Sequence, residues 1–421
     1  APAVHARAAL ARSVAHARAM RDRRGQPAPL AFHLGAALGA YHAALAAAPA
    51  VGRPEFPWHD DIAPPIGGPP DLIALAAEIA ARLVRLEAGL SRWRAAPPAP
   101  PRRERPVLWQ AGSVRLLDYR RGDQASLRPV LVVPSLINRA TILDLHPSVS
   151  FLGQLAEAGL APVLLDWGSP SRAEAAFDLD RYVSARLLPA AAFLQGVTGQ
   201  APALLGYCMG GSLAAAYAAA MPGTPRLVTI GAPWSFASDR GMAGALRQAV
   251  RAQGTANVER MLDALATVFG TVPGQVFQQL FALLDPLQVA RKFPGFADVD
   301  PQDAGGTVFV ALEDWLADPV PMAGPAAIDL LIRWQVEDRL ASGRWACLGR
   351  TVRAADIACP TLVVSGARDA IAGVETAEAL RRAIPHAQSL LTPFGHVGMI
   401  VSRGAHSGVV RPVVDFLAVV D

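Results

Sequence analysis

The segment that most constrains this chain is Gly206-Tyr207-Cys208-Met209-Gly210-Gly211. It follows a short apolar run, Ala203–Leu205, and opens a helix-like run, Ser212–Ala220. A strand that becomes a helix within so few residues forces the central residue into a strained backbone conformation. Flanking glycines are needed because strand and helix approach too closely for Cβ atoms. The turn also sets Cys208 at a helix N-terminus, where the dipole favours an anion and therefore a thiolate. A strand–turn–helix of this kind is a unit of an open, mostly parallel α/β sheet, and it marks Cys208 as a candidate nucleophile.

The surrounding sequence agrees. From Val107 onward, short apolar runs alternate with helical stretches. Strands are predicted at Val114–Tyr119, Val130–Val133, Ala161–Leu165, Ala203–Leu205, Arg226–Ile230, Thr361–Ser365 and Gln388–Thr392. Between Ile230 and Thr361 no comparable strand pattern occurs, and connections in such sheets are normally short. Residues 235–355 therefore read as a helical cap inserted into a core formed by residues 107–234 and 356–421. The cap contains Trp315, Trp334 and Trp345, read as core aromatics or as pocket walls.

Residues 1–94 read as an Ala-rich helical segment, and residues 95–106 as a Pro-rich linker containing Pro97-Pro98-Ala99-Pro100-Pro101. From Asp71 to Arg94, Leu72, Leu75, Ile79, Leu83, Leu86 and Leu90 recur at spacings of three and four, one apolar helix stripe. That stripe packs inward or docks a partner. Because the sheet pattern begins only after the linker, the part that follows is expected to fold alone. The Ala-rich run Leu30 to Gly52 is interrupted by His33, Tyr41 and His42, which predicts a soluble helix and no transmembrane span.

Composition narrows the class. With 421 residues, 52% hydrophobic and 18% charged, the chain is globular. Lys292 is the only lysine, so the net charge of +4 rests on arginine, as in Arg21-Asp22-Arg23-Arg24 and Arg102-Arg103-Glu104-Arg105. This reads as a coding bias on a solvated surface, with no nucleic-acid partner. Cys208, Cys347 and Cys359 are too few and too dispersed for a disulfide framework or a metal cluster, which predicts a cytoplasmic protein without a metal.

A thiol nucleophile needs a base, and the base needs an orienting acid. The strand Thr361–Ser365 runs into Gly366-Ala367-Arg368-Asp369, and the next strand into Pro393-Phe394-Gly395-His396. Asp369 and His396 are thus expected at the same sheet edge as Cys208, in the order nucleophile, acid, histidine that characterises the α/β-hydrolase fold. Competing groups are His386, His406 and Asp166, read as surface or structural; Cys347 and Cys359 are expected to be inert. For the oxyanion, backbone N–H donors are expected from Met209, directly after the nucleophile, and from Leu136, in the loop after an early strand.

At these residues the chain resembles the polyhydroxyalkanoate synthases, class III type. The resemblance is carried by Val132-Val133-Pro134-Ser135-Leu136-Ile137-Asn138 with Ile142-Leu143-Asp144-Leu145, by Leu165-Asp166-Trp167-Gly168, by the cysteine-bearing turn, and by Leu312-Glu313-Asp314-Trp315-Leu316. Ala370 stands after the acid where that family usually has histidine, and Arg139-Ala140-Thr141 replaces its aromatic pair. The resemblance implies an acyltransferase that polymerises 3-hydroxyacyl-CoA through a cysteine thioester, with coenzyme A thioester as substrate and no tightly bound cofactor. A polyester granule, a homodimer or a second subunit are the partners it implies. Two other readings stay open: a thioesterase or polyester depolymerase on the same triad, and a non-catalytic granule-associated protein.

Overall fold

The Val-, Leu- and Ile-rich runs after the linker form eight strands: β1 (Val107–Ala111), β2 (Val114–Asp118), β3 (Pro129–Val133), β4 (Ala161–Asp166), β5 (Ala203–Tyr207), β6 (Leu227–Ile230), β7 (Thr361–Gly366) and β8 (Gln388–Thr392). The structure, a computed structural model, describes residues 29–419 apart from residues 52, 54–55, 57–68, 125–126 and 239–240. The arginine cluster at Arg21 to Arg24 and the rest of residues 1–28 lie outside the described residues. The strands make one sheet in the order β1-β2-β4-β3-β5-β6-β7-β8. β2 runs antiparallel to β1 and to β4, and the others pair in parallel.

β3, β5, β6 and β7 are buried at every position, as strands covered on both faces must be. β1, half-exposed at the sheet edge, carries too weak an apolar signal to be predicted as a strand. β5 and β7 run one or two residues beyond their apolar runs, into Gly206-Tyr207 and Gly366. Register places Val133 beside Gly206, Tyr207 beside Ile230, Val364 beside Ile230, and Gly366 beside Thr392. The carboxyl ends of β3, β5, β6, β7 and β8 therefore form one edge, where ligands bind sheets of this kind. The α/β architecture expected from the sequence is the one observed.

The chain divides into two units. Residues 100–284 and 318–421 hold the sheet; residues up to 99 and residues 285–317 form the other. In the second unit the helix Leu72–Ala95 starts at Asp71, whose carboxylate accepts the Ile73 N–H at 2.9 Å. Its stripe is half-buried at Leu75, Ile79 and Leu83, and becomes core at Leu86, Leu90 and Trp93. These pack with Val289, Phe293, Phe296 and Val310. Gly89 permits the approach: a Cβ there would lie 1.8 Å from the Phe293 carbonyl oxygen. Lys292 is paired with buried Glu313 at 2.7 Å. Residues 285–317, which the sequence pattern assigns to the cap, thus cluster with the N-terminal helices, because their Phe-rich face completes a core that those helices cannot make alone. The Ala-rich helix, Leu30–Ala47, joins this unit through buried Leu30, His33 and Ala37, and His33 Nδ1 donates to the Pro286 carbonyl at 2.8 Å. By length and composition Leu30–Ala50 could also cross a membrane.

In the sheet-bearing unit, the remainder of the insertion supplies helices Gly241–Gln253, Thr255–Phe269 and Gly274–Ala282, then a π-helical turn, Asp329–Trp334. The segment leaving β6 is tied down on two sides. Asp338 accepts the Phe236 N–H at 2.8 Å and the Ser235 hydroxyl at 3.2 Å, and the buried Arg247 guanidinium donates to the carbonyls of Phe236, Ala237 and Ser238.

Candidate active site

Cys208 sits where β5 meets the helix Met209–Ala220, with φ at 56° and ψ at −135°. A non-glycine residue in that region is strained, and the turn is held by Cys208 N–H to the Ile230 carbonyl at 2.9 Å and Gly211 N–H to the Cys208 carbonyl at 2.8 Å. The glycines are steric necessities. A Cβ on Gly206 would lie 2.3 Å from Gly211 Cα, and one on Gly210 would lie 2.2 Å from the Val133 carbonyl oxygen.

His396 and Asp369 come from the loops after β8 and β7, as their strands' order requires. His396 Nδ1 donates to Asp369 Oδ2 at 2.7 Å. Asp369 Oδ1 accepts the N–H groups of Ile371 and Ala372, each at 2.8 Å, so the carboxylate is fixed before it meets the imidazole. All three residues are buried. With Nδ1 engaged, the other imidazole nitrogen is left to exchange a proton with Cys208, whose charge acts on the ring. Burial pulls the imidazole pKa down, but the Cys208 and Asp369 charges and hydrogen bonds outweigh it and raise it to about 10. The arrangement can hold a charged imidazolium in a buried site beside the nucleophile.

Met209 is the first residue of its helix, so its amide has no intrahelical partner. The Leu136 amide donates no hydrogen bond among the described residues, whereas Ile137 N–H is engaged by Ser135 Oγ at 3.2 Å. The loop after β3 is pinned by Trp167, whose indole N–H donates to the Pro134 carbonyl at 2.9 Å. Ile137, not Leu136, shares a cavity with Cys208 and Met209; Leu136 lines a neighbouring one with Trp167.

The Cys208 cavity is apolar, walled by Phe236, Phe277, Phe281, Leu330 and Leu331 among others. The tryptophans of the insertion do not supply its aromatics: Trp334 and Trp345 pack edge to face in the core, with ring centroids 5.0 Å apart, and Trp315 belongs to the other unit. The competing groups lie elsewhere. His386 is exposed in a turn, and His406, also exposed, meets Gln154 Oε1 at 2.9 Å. Asp166 is paired with Arg115 at 2.6 Å. Cys347 and Cys359 are buried, and burial pushes both thiols up, Cys347 further because Asp180 adds to it.

Two further residues of the site carry no local sequence signal of their roles. The Tyr207 ring lies 5.2 Å from the His396 ring, and its hydroxyl donates to the His396 carbonyl at 3.3 Å. Gly231, with φ at 55°, leaves room for that imidazole, whose nearest atoms would lie 3.1 Å from a Cβ. Position alone could have marked them: one precedes the nucleophile and the other follows β6.

A family model described as alpha/beta hydrolase fold matches residues 129–402. The chain is similar to the poly(3-hydroxyalkanoate) polymerase subunit PhaC of Haloferax mediterranei, 29% identical over 325 residues, which cover 74% of this chain and 63% of that protein. The Haloarcula marismortui protein of the same description is 29% identical over 66% of this chain and 58% of its own length. That of Allochromatium vinosum is 27% identical over 67% of this chain and 78% of its own. The chain thus spans less than two thirds of the length of the two haloarchaeal relatives.

Proposed function

From the premise that this chain belongs to the alpha/beta hydrolase fold family, we propose that it is an acyltransferase of the polyhydroxyalkanoate synthase type, polymerising 3-hydroxyacyl-CoA on Cys208. The observation that carries this reading is a cysteine at the strained turn, with a buried imidazole that a fixed carboxylate orients.

Two half-reactions follow. The Cys208 thiolate adds to the thioester carbonyl of the hydroxyacyl-CoA. The developing oxyanion is met by the Met209 and Leu136 N–H groups, the positions the helix start and the unpaired loop amide support. The carbon–sulfur bond to coenzyme A then breaks, and the His396 imidazolium passes its proton to the departing thiolate. In the second half, neutral His396 accepts the proton of a hydroxyl on another hydroxyacyl unit. The hydroxyl oxygen attacks the acyl-Cys208 carbonyl, an ester forms, and the Cys208 thiolate is released beside the re-formed imidazolium. Asp369 holds the imidazole in one tautomer throughout and stabilises its charge. Transfer is favoured over hydrolysis by the apolar walls of the cavity, which offer water few partners.

On this reading the substrate is a coenzyme A thioester, and the protein works in the cytoplasm at the surface of the polyester it makes, as a homodimer or with a second subunit. Incubation with 3-hydroxybutyryl-CoA, following free CoA, soluble acid and insoluble polymer together, tests it. Polymer with CoA release is expected. Free acid in place of polymer would make the protein a thioesterase or depolymerase, and no CoA release would leave a non-catalytic granule protein.

A further inference from the structure

Apart from Cys208, the side chains lining the described cavity are apolar with a single exception, Gln335. Gln335 is only 7% exposed, and its Oε1 is buried without a hydrogen-bond partner among the described residues. A buried amide oxygen without a donor is costly, so one in the wall of the cavity that also holds Cys208 points to a donor on a bound ligand. Its setting is built. Gln335 follows the π-helical turn Asp329–Trp334, and its N–H reaches back to the Leu330 carbonyl at 3.1 Å. This wide turn places Leu330, Leu331 and Gln335 together on the cavity wall, and π turns occur disproportionately at functional sites. Both ends of the turn are anchored. Asp329 accepts from the Leu179 N–H at 3.1 Å and from Arg333 at 2.6 Å, and Trp334 is fully buried against Trp345.

We infer that Gln335 is a specificity-determining residue that hydrogen-bonds the hydroxyl group of a hydroxyacyl substrate in the Cys208 cavity. The inference rests on the acyltransferase reading and deepens it. The amide oxygen only accepts and a hydroxyl can donate, so a substrate hydroxyl supplies the donor that Oε1 lacks. In a 3-hydroxyacyl thioester the hydroxyl stands two carbons from the carbonyl that Cys208 attacks, and Cys208 and Gln335 line one cavity. A site with a polar group placed for a substrate hydroxyl rejects the analogue without one, because the protein group is then left unpaired.

The test compares 3-hydroxybutyryl-CoA with butyryl-CoA in single-turnover loading of Cys208, read by acyl mass on the protein and by stoichiometric CoA release. The wild-type protein should load the hydroxyacyl group at least about tenfold faster. Gln335→Met, of similar shape, should bring the two rates within about twofold of each other, chiefly by slowing the hydroxyacyl substrate, with a melting temperature no lower than wild type. Equal loading of both thioesters by the wild-type protein overturns the inference and leaves the acyltransferase reading standing, and it does so whether or not the variant folds. A variant that slows both substrates equally and melts lower would make Gln335 structural. If neither thioester loads Cys208, the acyltransferase reading falls and takes the inference with it.

Discussion

Asp369 divides its two carboxylate oxygens between the backbone and His396. Oδ1 accepts two amides, from Ile371 and Ala372 at 2.8 Å, and Oδ2 accepts the His396 Nδ1–H at 2.7 Å. The first pair of bonds fixes the group, so a carboxamide in its place could keep its oxygen toward the amides and would then turn an NH2 toward Nδ1. The imidazole would have to present its other tautomer, with its proton toward Cys208. Asp369→Asn should therefore fold normally and slow Cys208 acylation by about 10⁴-fold. Rapid-mixing measurement of CoA release checks this, and near-normal acylation would remove Asp369 from the mechanism.

The raised pKa of His396 sets a pH range. Burial lowers it, while Cys208 first and Asp369 second raise it, to about 10 in the balance. A raised value means that the ring keeps its proton well above the usual imidazole range, near 6.5. Acylation, which needs the imidazolium as acid, should then hold its rate on the alkaline side until pH nears 10. In Cys208→Ala the foremost raising cause is gone and burial remains, so the same ring should titrate lower. Histidine-selective labelling with NMR titration of both proteins reports the two values directly, and identical titration in the two would contradict the coupling.

Gly210→Ala should be more harmful than an ordinary glycine-to-alanine change in a helix. The added Cβ would fall 2.2 Å from the Val133 carbonyl oxygen and 2.3 Å from that of Pro134, both backbone atoms that cannot swing aside. Relief requires moving the loop that carries Leu136 away from Cys208. A loss of at least about 1–3 kcal/mol in stability is expected, together with a fall in kcat larger than the change in KM. Chemical denaturation and steady-state kinetics measure both; a variant as stable and active as wild type would show that the loop moves freely.

The sheet, and the placing of Cys208, Asp369 and His396 at one edge of it, were legible for one reason: both are written in local signals. Apolar runs mark β2 to β8, and Cys208, Asp369 and His396 each follow one of them at the same sheet edge. The loop expected to supply a second oxyanion donor was legible only as a loop, since Ser135 Oγ, through its hydrogen bond to Ile137, decides which amide there stays unpaired. Tyr207, Gly231 and Gln335 were not legible, because their roles depend on what the fold brings opposite them. The pairing of residues 285–317 with the N-terminal helices was hidden for the same reason. An amphipathic helix announces that it will bury a face, but not against which partner.

That pairing bears on truncation. The Pro-rich linker suggests that residues 1–94 can be removed without harm, yet Leu86, Leu90 and Trp93 are the residues that bury Phe293, Phe296 and Val310. Deletion would expose three large apolar side chains, each worth about 1.5–3 kcal/mol when buried, and would leave residues 285–317 without their core. Phe293 would also lose its edge-to-face contact with Trp93, at 5.9 Å between ring centroids. The expected product is aggregated or binds a hydrophobic dye strongly. Gly89→Ala offers a milder form of the same test, because its Cβ would lie 1.8 Å from the Phe293 carbonyl oxygen and must force the two helices apart. It should lower the melting temperature while leaving the Cys208 turn intact, so single-turnover acylation at low temperature should survive. Size-exclusion chromatography of the truncated chain and thermal melts of Gly89→Ala decide the point. A monodisperse, active truncation would mean that the segment 285–317 finds another way to cover its phenylalanines.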